Sequence, residues 1–204
     1  HDYVFAVYVD ADGGLWVSTK YNGINYSGTA QRNFRKYYSV EERLLEDYII
    51  SGFADDGKGT VWITTEQGGL LSYDCGKDRL KDAGISILKG MDLISPCIDD
   101  RYLWLGSMKG LYRYDTRTGS LKYYSSLSQT VALRDNRIGT MFLSDMGDLY
   151  VGTTLGLSRY DRERDRFESL DVFNGINITD LEEDSSGMIW VSTYADGIFR
   201  YDPV

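Results

Sequence analysis

The chain has 204 residues and carries 31 acidic against 22 basic side chains, a net charge of −9 at pH 7. So acidic a surface repels phosphate backbones and argues against nucleic acid as a partner. No run approaches the ~20 consecutive apolar residues with which a helix crosses a bilayer. With 22 Gly, 17 Tyr and only 2 Pro, the composition suits tight turns joining half-buried strands.

The chain opens on an apolar strand pattern, Tyr3 to Val9, with no charged leader before it. Any signal peptide is therefore expected to be gone already, and any membrane anchor to lie elsewhere. Further on, one unit recurs: a turn glycine, an aromatic three residues later, a small hydroxyl three after that, then a glycine and an outer strand. The aromatic is Trp16, Trp62, Trp104, Tyr150 and Trp190, at intervals of 46, 42, 46 and 40 residues. Short strands repeating with a period of about 40–50 residues are the mark of β-propeller blades. The reading is all-β: one propeller segment over 1–204, made of five four-stranded blades near 1–45, 46–89, 90–134, 135–174 and 175–204, the last incomplete.

Within each copy the residue types have local reasons. Gly13, Gly59, Gly147 and Gly187 fall where a hairpin needs positive φ. Asp10, Asp56, Asp99 and Asp184 stand at the turn entrance, where a carboxylate accepts nearby backbone N–H groups. The acids are therefore read as turn formers, not as a catalytic pair or a calcium loop. Thr19, Thr65, Ser107, Thr153 and Thr193 face away from the aromatic and suit close contact between blades. The Trp rings are expected to pack between neighbouring blades. Gly69, Gly110, Gly156 and Gly197 open third strands that end in Tyr73-Asp74, Tyr114-Asp115, Tyr160-Asp161 and Tyr201-Asp202. The run Arg162 to Arg166 alternates base and acid and reads as a solvated outer hairpin. Cys75, in an outer turn, and Cys97, on an inner strand, are not placed for a disulfide.

The blocks Asp184-Ser185-Ser186-Gly187-Met188-Ile189-Trp190-Val191-Ser192-Thr193 and Gly197-Ile198-Phe199-Arg200-Tyr201-Asp202 resemble the two-component regulator propeller repeat. Leu133 to Ile138 and Asn174 to Ile178 resemble its inter-blade connection. The third copy lacks one residue and the first turn glycine; the fourth has Tyr150 for Trp. The resemblance implies the periplasmic sensor region of a Bacteroidetes hybrid two-component system. There, seven-bladed propellers precede a membrane span and a histidine kinase, and the ligands are oligosaccharides from glycans. It makes this chain a piece of a larger ring, with a self-closed five-bladed ring as the alternative. Open blade faces, or dimerisation of the receptor, would then give self-association.

His1 is the one histidine, so no Ser-His or Cys-His dyad and no histidine metal site can be assembled. No catalytic residue, metal or cofactor is assigned. What differs from blade to blade is the turn between second and third strands and the inter-blade connection, including Glu41-Glu42-Arg43. The candidate ligand residues there are Tyr21, Asn22, Glu66, Gln67, Lys109, Arg134, Asn136, Tyr194 and Asp196. Amide, carboxylate, guanidinium and phenol groups together suit a polar sugar. A protein-interaction scaffold is the alternative function, and a propeller lyase a more distant one.

Overall fold

Turn chemistry divides the chain into short strands. The computed structural model describes residues 3–19, 23–29, 34–37, 39–40, 43–44, 48–127 and 133–203. Contacts group the chain into two compact units, residues 1–96 and 97–204.

In the first unit, β1 (Val4–Val9), β2 (Leu15–Thr19), β3 (Gly23–Ser27) and β4 (Arg35–Tyr37) form one four-stranded sheet in sequence order. A two-residue pairing, β5 (Ser39–Val40) with β6 (Arg43–Leu44), follows. The second sheet is β7 (Ile49–Asp55), β8 (Thr60–Glu66), β9 (Gly69–Asp74) and β10 (Arg79–Asp82). The next strand, β11 (Leu93–Asp99), begins in the first unit and ends in the second. It opens the third sheet, with β12 (Tyr102–Ser107), β13 (Gly110–Asp115) and β14 (Leu121–Tyr124). The fourth sheet is β15 (Ile138–Leu143), β16 (Leu149–Thr153), β17 (Gly156–Asp161) and β18 (Arg166–Leu170). The fifth has three strands, β19 (Ile178–Glu183), β20 (Ile189–Thr193) and β21 (Ile198–Tyr201).

These meanders are the blades of a β-propeller, and the opening strand and the third strands of the second to fifth sheets match the sequence reading to within a residue at their ends. One feature was not anticipated. The first strand shifts register at Val4/Ala6, Ile50/Gly52, Ile138/Thr140 and Ile178/Asp180. A bulge recurring at one place adds local twist to these four blades.

The core lies between sheets, where the aromatic reading placed it. In the first unit, Trp16 is fully buried, edge-on to Tyr73 (4.8 Å, 72°) and tilted on Phe53 (5.9 Å) of the second sheet. In the second unit, Trp104 repeats this on Tyr160 (4.8 Å, 68°) and Phe167 (5.9 Å) of the fourth sheet. Each such pair adds about 0.5–1.5 kcal/mol beyond the area it buries. Tyr150 fills the Trp position of the fourth sheet and is buried with Phe173, Ile178, Leu181 and Ile189. Trp190 differs. It is 43% exposed, with Arg200 stacked over it at 5.8 Å.

Candidate functional site

The turns between second and third strands are closed by the repeated hydroxyl. Thr65, Ser107, Thr153 and Thr193 donate to the carbonyls of Gly69, Gly110, Gly156 and Gly197 at 3.0, 2.8, 3.0 and 2.8 Å. The sequence reading gave this hydroxyl to blade contact; its first task is to clamp its own hairpin. The glycine that follows lets the inter-blade connection lie on the turn. A Cβ on Gly69 would stand 2.4 Å from the Leu88 carbonyl oxygen, and one on Gly156 would stand 3.0 Å from that of Phe173.

Hydrogen bonds then join turn to connection in each unit. In the first, the Gln67 N–H donates to Asp92 Oδ1 (2.8 Å) and the Gly69 N–H to the Met91 carbonyl (3.2 Å). In the second, the Gly175 N–H donates to the Leu155 carbonyl and the Tyr194 N–H to the Asn177 carbonyl, both at 2.9 Å. The two variable segments thus form one surface in each unit. The connections also hold short 3₁₀ turns, Ser86–Leu88 and Asp171–Phe173, each burying its last residue. No sequence signal marked them, because three residues are too few to show a period.

Gln67 is exposed, with a left-handed φ of 61°, and Glu66 beside it is half-buried. In the same unit a cleft of about 330 Å³ is lined by Asp82, Gly84, Ile85, Ser86 and Lys89, none of them singled out from the sequence. Lys109 is exposed at the third-sheet turn, and its carbonyl accepts the Tyr123 hydroxyl at 2.5 Å. Arg134 packs its stem against Gly156 and pairs with Asp171 at 2.5 Å. The Asn136 side-chain oxygen is occupied by the Ser126 N–H (2.7 Å). Between them Asp135 accepts Arg137 (2.7 Å), the Thr154 hydroxyl and the Asn136 N–H (2.7 Å). Burial raises the Asp135 carboxyl, but these bonds outweigh it and hold the group below the usual carboxylate range. Tyr194 is 80% exposed and stands with exposed Asp196 on the fifth-sheet turn.

Arg134 and Asn136 thus flank the fourth-sheet turn, and Tyr194 and Asp196 share the fifth. Lys109 belongs to the third, and Glu66 and Gln67 to the first unit. Tyr21, Asn22, Glu41 and Glu42 lie outside the described residues. The second unit offers a guanidinium, carboxylates and an exposed phenol ring, groups that bind a polar ligand by hydrogen bonds and stacking. Among the described residues, no three His, Cys, Asp or Glu side chains converge as metal ligands would.

Residues 1–21 and 172–195 match the family model of the two component regulator propeller. These two stretches carry the likeness to the two-component regulator propeller repeat. Comparison with curated proteins gives no match. Among solved structures, the chain is similar to the extracellular domain assigned to hybrid two component system BT4673 from B. thetaiotaomicron (TM-score 0.80, 21% identity, 99% of this chain and 26% of that one). A domain of the same description, BT3049 from B. thetaiotaomicron, matches at TM-score 0.79 and 16% identity, over 98% of this chain and 27% of that one. Virginiamycin B lyase from Staphylococcus aureus matches at TM-score 0.69 and 12% identity, over 98% of this chain and 70% of that one. The chain therefore spans about a quarter of the length of the extracellular domains it resembles. At these identities the likeness is one of fold. Among the described residues, no helix is long and apolar enough to cross a membrane.

Proposed function

We propose that this chain is a non-catalytic sensor propeller of a hybrid two-component signalling protein. In this reading it works outside the cytoplasm, in the periplasm, sensing glycan-derived oligosaccharides and relaying to a histidine kinase. The observation that carries it is the regulator-propeller match, joined to a fold that overlays almost its whole length on extracellular domains of such systems. The variable, polar loop surface supports a sugar as ligand. An exposed ring such as Tyr194 offers a stacking face, and Arg134 with its carboxylate neighbours offers directional hydrogen bonds.

A lyase reading starts from the likeness to virginiamycin B lyase, but this chain holds no histidine after His1 to serve as a base. A protein-docking scaffold would use the same loops without a sugar. A thermal-shift series over oligosaccharide classes separates these readings. Saturable stabilisation by one class, without turnover, supports the sensor. Turnover would favour the lyase, and no stabilisation by any class would favour the scaffold.

A further inference from the structure

Two acids lie outside both the turn-entrance set and the loop surface. Asp78 and Asp165 sit in the hairpins between third and fourth strands, with left-handed φ of 48° and 51°. They close parallel runs, Tyr73-Asp74-Cys75-Gly76-Lys77-Asp78 and Tyr160-Asp161-Arg162-Glu163-Arg164-Asp165. The first acid of each run is consumed locally. Asp74 accepts the Lys77 N–H (3.0 Å) and ammonium (2.8 Å). Asp161 accepts the N–H groups of Glu163 (3.0 Å) and Arg164 (3.1 Å) and the Arg164 guanidinium (2.9 Å).

The second acid reaches the neighbouring sheet. Asp78 Oδ1 accepts the hydroxyl of Tyr73 in its own sheet (2.8 Å) and that of Tyr37 on β4 of the first sheet (2.6 Å). Its Oδ2 takes Arg35, also on β4, at 2.5 Å. Asp165 Oδ1 accepts Tyr160 in its own sheet (2.5 Å) and Tyr124 on β14 of the third (2.6 Å), with Arg113 at 2.9 Å. Its Oδ2 takes Lys122, also on β14, at 2.5 Å. The arrangement is the same twice: a cation and a tyrosine two residues apart on one outer strand, a tyrosine on the next blade, and one carboxylate binding both. Arg113 is in turn held over the rings of Tyr102 (4.6 Å) and Trp104 (5.5 Å).

A left-handed turn residue alone does not explain the pair, since Gly119 fills the same place in the third sheet with φ of 74°. We infer that Asp78 and Asp165 are conformational latches: each fastens the outer strand of one blade to the outer hairpin of the next, so that the first and second sheets, and the third and fourth, move as pairs. A single anion accepting from two phenols and a cation makes charge-assisted hydrogen bonds, stronger than neutral ones. The Tyr37 and Tyr73 hydroxyls, with Arg35, hold the Asp78 carboxyl below its usual range. Burial raises Asp165, but Lys122, Tyr124, Tyr160 and Arg113 outweigh it and lower the group further. Both acids are therefore charged, and both latches closed, at neutral pH.

Amide hydrogen exchange on the 204-residue chain tests this. Asp165→Gly keeps the left-handed turn and removes the carboxylate. The expected result is roughly tenfold or more faster exchange in both β14 and β18, with β16 unchanged. Asp78→Gly is expected to do the same to β4 and β10. Acceleration confined to the mutated hairpin, or a uniform rise through all sheets, would overturn the latch. Tyr124→Phe supplies a second check. It is expected to speed exchange in β14 of the parent but to add less than about twofold in the Asp165→Gly background, because the two groups serve one contact. Full additivity would count against it.

Discussion

In the first and fifth copies the turn acid works with both of its oxygens. Asp10 accepts the Gly14 N–H at 2.6 Å through one and the indole N–H of Trp16 at 2.8 Å through the other. Asp184 holds Trp190 in the same way at 2.9 Å. Each acid lies six residues before its Trp, so one side chain fixes both the turn and the ring. The third copy differs. It is one residue shorter, Asp99 pairs instead with Arg162 at 2.6 Å, and the buried Trp104 indole nitrogen has no hydrogen-bond partner among the described residues. Asp10→Ala would leave the buried Trp16 indole N–H unsatisfied and should lower stability by about 1–3 kcal/mol in urea unfolding; an unchanged midpoint would refute this role. The two thiols are free. Burial, then the nearby charges of Asp55 and Asp10, pushes Cys75 up to about 11, and burial chiefly pushes Cys97 up to about 12. A raised thiol pKa keeps the unreactive protonated form at neutral pH. Iodoacetamide labelling of the folded chain should stay slow until the pH approaches those values, and rapid labelling of Cys75 at pH 7.5 would contradict it.

At the scale of elements, neighbouring sheets meet where small residues let backbone and methyl groups approach. A Cβ on Gly152 of β16 would stand 2.7 Å from Ile178 Cγ2 and 2.9 Å from Thr140 Cγ2. Gly152→Ala should therefore cost about 1–3 kcal/mol through overpacking, read as a fall in melting temperature; a neutral result would mean that β19 shifts freely. The blades were legible in the sequence because their signals are local. A turn glycine, an aromatic three residues on and a hydroxyl three further lie within one hairpin. The contacts between blades were not. Tyr37 meets Asp78 across 41 positions and Arg134 meets Asp171 across 37, and nothing within either segment names its partner. Tyr160-Asp161 read correctly as turn chemistry, which concealed the separate work of Asp165. The run Arg162 to Arg166 likewise read as a solvated hairpin. It is partly exposed, yet it sends Arg162 to Asp99 and Asp165 to β14.

At the scale of the molecule, two sheet faces stand out as apolar and uncovered. In the first unit, β1 exposes Phe5, Val7 (62%) and Val9; in the second, the fifth sheet exposes Trp190 and Ile198 (70%). Apolar faces of this kind seek a partner. We propose self-association through them, and light scattering should give a mass above 23.2 kDa that falls on Trp190→Glu substitution. A monomer at all concentrations would argue against it. The loop surface is a separate matter, since its residues sit on turns and connections. We propose that this surface, and not the open sheet faces, receives an oligosaccharide. The most direct measurement is calorimetric titration of whichever oligosaccharide class stabilises the chain, repeated on Tyr194→Ala, Arg134→Ala and Trp190→Ala variants. Loss of about tenfold or more in affinity on Tyr194→Ala or Arg134→Ala, with Trp190→Ala unchanged, is the result expected. Affinity that is indifferent to Tyr194 and Arg134, or that is lost with Trp190 alone, would contradict the account.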